Sequence, residues 1–120
     1  MRKKTLVLGA SLKEERYSNV AIHRLRAKNQ AVVAFGLREG IVNDVTIITD
    51  KKKYKDLDTI TLYLNPKRQV EFYDYIVDLK PNRVIFNPGT ENPELVKILE
   101  SNGIKSEVAC TLVLLSINQY

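Results

Sequence analysis

Cysteine occurs once in the 120 residues, at Cys110, and histidine once, at His23. A single cysteine excludes an intrachain disulfide framework. One histidine and one cysteine also cannot assemble a zinc site from the usual ligands. Long apolar runs are missing too: no stretch reaches the length of a membrane-spanning helix. The run Thr5–Ala10 behind Met1-Arg2-Lys3-Lys4 is too short for a secretory signal core. A cytoplasmic location without membrane contact is the resulting expectation. Internal repeats, low-complexity tracts and Gly/Ser-rich linkers are absent, so residues 1–120 read as a single domain.

What is present is ordinary globular material, 44% hydrophobic and 28% charged, which argues against disorder. At this size, folding hides roughly two-thirds of the area that the unfolded chain exposes. That is enough for a core without covalent staples. The net charge is +5, part of it from the block Lys51-Lys52-Lys53-Tyr54-Lys55. A basic surplus suits nucleic acid, a membrane surface or an anionic small ligand. Nucleic acid would call for cations interleaved with aromatics or lined along a helix. The lysine block carries one tyrosine and falls in a predicted loop, so it reads as solvated surface.

Short apolar runs alternate with longer amphipathic ones. Leu6–Ala10, Ala31–Phe35, Thr59–Leu64, Arg83–Asn87 and Cys110–Leu115 are predicted strands, and Val45–Ile48 is a further short, exposed one. Most are continuous in apolar residues rather than alternating, as in strands buried on both faces of a parallel sheet. A first helix is expected from Ser18 to Lys28, with Val20, Ala21 and Leu25 as its apolar stripe. A second opens at Asn65-Pro66, a capping residue followed by a proline suited to the first helical position, and stops at Lys80-Pro81. A third opens at Asn92-Pro93 and ends at Asn102-Gly103. The alternation predicts an α/β fold of Rossmann-like type: three layers, with an open, mainly parallel five-stranded sheet between helices.

Such sheets bind ligands at the carboxyl ends of their strands. Behind the first strand stand Gly9-Ala10-Ser11 and then Arg16-Tyr17-Ser18-Asn19. Glycine admits a close backbone approach, and the free N–H groups of a helix start attract phosphate. Ser18 is equally readable as a plain N-cap. The dinucleotide fingerprint is incomplete, because Ser11 and Glu14 occupy its second and third glycine positions; no Walker A sequence follows either. Behind the second strand stand Gly36-Leu37-Arg38-Glu39. NAD enzymes usually place a carboxylate at this strand end. Arg38 suits a phosphorylated ribose, either the 2′-phosphate of NADP or the 3′-phosphate of coenzyme A, unless it simply pairs with Glu39. Asn65-Pro66 and Pro88-Gly89 end the third and fourth strands, at the same edge. Cys110 reads as a buried small hydrophobe. His23 faces away from the apolar stripe and reads as an exposed bystander.

The stretches Val7–Ser11, Arg16–Asn19, Asp58–Pro66, Val84–Asn92 and Ala109–Thr111, taken as a set and in this order, resemble the small stand-alone CoA-binding domain family. That family is similar to the N-terminal CoA-binding domain of the succinyl-CoA synthetase α subunit. The resemblance implies a coenzyme lying across the strand ends. Gly9, Ala10, Ser11, Ser18 and Asn19 would meet the pyrophosphate, with Arg16 and Tyr17 beside them. Asn65, Pro66, Pro88 and Gly89 would line the nucleotide or pantetheine arm. Many members end the second strand in an Asn-Pro-Lys-like sequence; here Gly36-Leu37-Arg38 stands instead, with Arg38 shifted in register. The synthetase's second domain, which carries a phosphorylated histidine, has no counterpart in these residues, and His23 is not its equivalent.

Three readings follow. A module binding coenzyme A or an acyl-CoA, rather than a complete enzyme, is the leading one, because the synthetase's phosphohistidine domain has no counterpart here, while the incomplete glycine fingerprint and the lack of an obvious acid–base pair count against an NADP enzyme. The alternatives are an NADP-dependent enzyme using the same crevice and a nucleic-acid binder working through the lysine block. The sequence is silent on protein partners and on oligomeric state.

Overall fold

The strand Leu6-Val7-Leu8 is fully buried, and its side chains divide between two cores. Leu6 and Leu8 point into one cluster and Val7 into the other, as the two-residue period of a strand requires. A strand covered on both faces needs apolar residues at every position, which is why the run is continuous. The computed structural model of the chain describes residues 3–120. In it this strand, β1 (Lys4–Ala10), is the centre of a seven-stranded sheet.

The other strands are β2 (Ala31–Gly36), β3 (Gly40–Val42), β4 (Val45–Ile48), β5 (Thr59–Leu62), β6 (Arg83–Phe86) and β7 (Lys105–Val108). Their order is β3-β4-β2-β1-β5-β6-β7, and every pairing is parallel except β3 with β4. The chain builds outward from β1 through β2 to β4, then returns to the other side of β1 at β5. Strand order therefore reverses between β1 and β5, where α/β sheets open a crevice.

Helix α1 (Tyr17–Ala27) and helix α5 (Thr111–Ser116) pack on one face, where Ile22, Leu25 and Leu115 meet Val7, Ala34 and Ile47. The other face carries α2 (Pro66–Gln69), a 3-10 turn over Val70–Phe72, α3 (Tyr73–Leu79) and α4 (Pro93–Ser101). There Phe72, Ile76, Leu95 and Leu99 cover Leu6, Ile60, Val84 and Phe86. The crossover from β4 to β5 has no helix. The loop 49–58, which contains the lysine block, covers this face by burying Leu57 and packing Tyr54. Lys51 donates to the Glu71 carbonyl at 2.8 Å and lies over the Phe72 ring, while Lys52 lies over Tyr54.

Three expectations need correction. The sheet has seven strands, not five. The run Cys110–Leu115 is not a strand; it forms α5, and the strand before it is the polar segment Lys105-Ser106-Glu107-Val108. A short apolar run does not by itself distinguish a buried strand from a helix that is covered on one side. Ser18 is not an N-cap either: α1 begins at Tyr17, and Arg16 holds the cap position without a side-chain bond. The asparagine caps are as expected, with Asn65 accepting from the Arg68 N–H at 3.0 Å and Asn92 from the Leu95 N–H at 3.3 Å. His23 is exposed, as expected, and Cys110 is half-buried.

Candidate functional site

At the reversal point, the loops behind β1, β2, β5 and β6 enclose a crevice of ≈ 890 Å³. Its opening depends on a bulge. Gly9 has φ +101°, which shifts the β1–β2 register between Leu8 and Ala10. A Cβ at Gly9 would lie 2.9 Å from the Tyr63 carbonyl carbon, so only glycine lets β1 and the end of β5 approach this closely. Gly36 serves the next strand in the same way, since its Cβ would fall 2.4 Å from the Ala10 carbonyl oxygen.

Buried amides hold the rim. Asn19 donates to the Ser11 carbonyl at 2.9 Å, tying the first loop to α1. Gln69, wholly buried, donates to the carbonyls of Leu64 and Thr90 at 2.8 Å each and accepts from Asn92 at 2.9 Å. It therefore joins the loops behind β5 and β6. Asn87 donates to Thr61 Oγ1 and to the Leu62 carbonyl, and accepts from the Thr111 N–H at 2.9 Å. That grip fixes the start of α5 to the end of β6. A half-satisfied buried amide is costly, so Gln69 and Asn87, whose donors and acceptor are all used, define a single rim geometry.

The charge on the lining has one sign. Lys13, Arg16, Arg38 and Arg68 face the crevice, and no carboxylate lines it. None of the four forms a salt bridge among the described residues, so Arg38 is not paired with Glu39. The first turn of α1 holds no acidic residue. Its Tyr17 and Ser18 N–H groups have no acceptor among the described residues, as expected for an uncapped helix start. Apolar surface comes from Leu12, Phe35, Leu37, Leu64 and Phe72. Tyr63 also lines the crevice, and burial pushes its hydroxyl well above the usual phenol range.

Of the residues expected from sequence, Gly9, Ala10, Ser11, Arg16, Tyr17, Ser18, Gly36, Arg38, Asn65, Pro88 and Gly89 line this crevice together. Asn19 and Pro66 do not. Asn19 is buried behind the loop, and Pro66 opens α2 at its first position. Sequence reading missed Lys13, Arg68, Phe72 and Thr90 on the lining, and Gln69 and Asn87 behind it. Arg68 had a legible signal: a residue in the first turn of a helix that starts at a strand end faces the crevice.

Residues 3–116 match the family described as the CoA binding domain. The chain belongs to this family. Among solved structures, a crystal structure of an uncharacterized protein is 46% identical over 100% of this chain and 99% of its own, with TM-score 0.97. A conserved hypothetical protein from Pyrococcus furiosus is 26% identical, covering 94% of this chain and 98% of its own, at TM-score 0.80. A Thermus thermophilus protein is 19% identical over 99% and 91%, at TM-score 0.85, which speaks for the shared Rossmann-like fold alone. No curated protein matches. Coenzyme A is a polyanion with a diphosphate at its middle. A crevice whose charged lining residues are all cations, beside the uncapped start of α1, is chemically suited to it.

Proposed function

We propose that this CoA binding domain holds coenzyme A or an acyl-CoA in the crevice, as a binding module rather than a complete enzyme. The carrying observation is the lining of Lys13, Arg16, Arg38 and Arg68 without a carboxylate, around the uncapped start of α1. In this reading the Gly9-Ala10-Ser11 turn and the first amides of α1 hold the diphosphate. Arg16 and Arg38 neutralise phosphate charge, with Arg38 set against the 3′-phosphate. Asn65, Pro88 and Gly89 line the path of the pantetheine arm, while Asn19 and Pro66 support the rim from behind. Each charge-assisted bond to phosphate contributes about 1.5–3 kcal/mol. A few of these, less the cost of association, correspond to micromolar affinity, on the order of −8 kcal/mol.

Thermal shifts with coenzyme A, 3′-dephospho-coenzyme A, NAD, NADP and an oligonucleotide test the reading. Coenzyme A at a hundred times its dissociation constant should stabilise the fold by about 2.7 kcal/mol. The dephospho form should give less. Stabilisation by NADP without stabilisation by coenzyme A would overturn the proposal. So would oligonucleotide binding that collapses with salt while coenzyme A is inert.

A further inference from the structure

Among the described residues the sheet ends at β7, and no strand covers its outer edge. The Lys105 N–H donates to Asn82 and the Ala109 N–H to Phe86, so residues 105, 107 and 109 turn their backbone groups toward β6. Ser106 and Val108 therefore direct theirs outward, where none of the described strands lies. Val108 is 68% exposed, a large apolar side chain at a sheet edge. The opposite edge offers less: β3 has three residues and turns only Ile41 outward. Exposed edges that lack a cover are templates for another strand.

We propose that this edge pairs with β7 of a second copy of the chain, antiparallel about a two-fold axis at Ser106. The charges select that register. Hydrogen bonding requires outward residues to face outward residues, so the axis must pass through one residue of the strand. An axis at Lys105 or at Glu107 sets like charges directly opposite, which is unfavourable, and an axis at Val108 sets Lys105 opposite position 111, which lies in α5 beyond the strand, so that no charge pair forms. An axis at Ser106 sets Lys105 opposite Glu107 of the second copy, and Glu107 opposite Lys105, while the two Ser106 residues exchange both backbone bonds. Lys105 and Glu107 already lie on one face of the strand, 3.5 Å apart, and both reach solvent. The resulting interface is isologous and closed, so it ends at two copies. It joins the two seven-stranded sheets edge to edge. The crevice stays open, because its lining comes from the loops behind β1, β2, β5 and β6.

Sedimentation velocity over a range of protein concentration reads the association directly. The wild-type chain should be a dimer. Ser106→Pro deletes an outward N–H that β6 does not use, and should leave a folded monomer. Lys105→Glu, which sets carboxylates opposite one another, should weaken the dimer about tenfold or more. A charge-swapped partner tests the electrostatic pairing, and register is read by the double exchange Lys105→Glu/Glu107→Lys in one chain, which restores opposite charges only where position 105 faces position 107 and should recover the wild-type dimer. Lys105→Glu and Glu107→Lys chains, each weakly associating alone, should form a one-to-one heterodimer when mixed. Circular dichroism and melting temperature confirm that each variant is folded, which matters most for Glu107→Lys because Glu107 meets Arg83 at 3.4 Å. A wild-type chain that stays monomeric at millimolar concentration overturns the proposal, as does a dimer indifferent to both Ser106→Pro and Lys105→Glu. Coenzyme A binding should be equal in all these variants, so either outcome leaves the ligand assignment separately testable.

Discussion

The two ends of the sheet carry opposite solutions to the same problem. At the amino ends of the strands, charged side chains are engaged by neighbouring groups, Arg83 by an ion pair and Asp58 and Lys3 by hydrogen bonds. Arg83 donates to Thr59 Oγ1 at 2.8 Å, meets Glu107 at 3.4 Å and stacks on the Tyr120 ring. Asp58 accepts from Thr59 and Asn82, and Lys3 donates to the Tyr120 carbonyl. At the carboxyl ends, four cations face a crevice with no carboxylate partner. Proteins seldom gather like charges around a concave surface for stability, because mutual repulsion and desolvation both oppose it. Engaged charges thus mark the structural end and unpaired ones the binding end. Changes at the amino ends should alter stability alone, and changes in the crevice cations should alter binding alone.

The largest effect is expected at the one place where the two roles meet. Gln69 is wholly buried and joins the loops behind β5 and β6. Gln69→Leu strands two buried carbonyls and the Asn92 amide, for about 3 kcal/mol. In a chain of this size that lowers the melting temperature by roughly 10 °C. It should also weaken coenzyme A binding, because the rim loses its brace. Unchanged affinity would show that the β5–β6 side of the crevice does not touch the ligand. Arg83→Ala comes next, at about 2 kcal/mol, since it removes the bond to Thr59, one of the two cations beside Glu107 and the packing on Tyr120 in a mostly buried site. Its affinity for coenzyme A should match wild type. A loss of affinity there would break the division between the ends.

Arg38→Ala and Arg68→Ala should do the reverse. Neither side chain has an ion-pair partner among the described residues, so melting temperature should stay within about 0.5 kcal/mol of wild type. Affinity should fall about tenfold or more for each lost charge-assisted bond. Calorimetric titration with coenzyme A and its 3′-dephospho form sharpens the assignment. Arg38→Ala should abolish the difference between the two ligands and Arg68→Ala should not. An Arg38→Ala variant that keeps full preference for the 3′-phosphate removes Arg38 from that role.

The physical reason for the legible part is burial. β1, β2, β5 and β6 were readable because strands covered on both faces are apolar throughout, and the helices behind Asn65-Pro66 and Asn92-Pro93 because their caps are chemical. β7 was not readable, because an edge strand bearing Lys105, Ser106 and Glu107 has no apolar pattern to show. Its neighbour α5 reads as a strand instead, because Thr111 to Leu115 is apolar over too short a span to display a period. The site followed the same rule. Turn residues at strand ends could be placed by topology alone. Lys13 and Phe72 reach the crevice through loop and helix geometry that no local sequence feature encodes, whereas Arg68 follows from its place in the first turn behind Asn65-Pro66. Gln69 and Asn87 are ordinary polar residues until the fold buries them.

The smallest effect belongs to the amino ends and is a pH dependence. Burial raises the pKa of Asp58, but hydrogen bonds from Thr59 and Asn82 and the nearby charges of Lys3 and Arg83 outweigh it, so the net value lies below the ordinary 3.8. A carboxyl held low in the folded state binds its proton more weakly there than in the unfolded chain. Its stabilisation is therefore complete above the unfolded value and is lost as pH falls below 3.8 through the folded one. Asp58→Asn removes the titration but keeps the shape. Thermal melts of both chains from neutral pH down to strongly acidic conditions should show a higher melting temperature for wild type near neutrality. The gap should narrow only in the acidic window, since other carboxylates titrate in both chains and cancel in the difference. A gap that stays constant through that window would mean that the Asp58 charge contributes nothing and that its hydrogen bonds alone hold the loop before β5. The pairing at the amino ends would then be geometric rather than electrostatic, and the contrast with the crevice would rest on the unpaired cations alone.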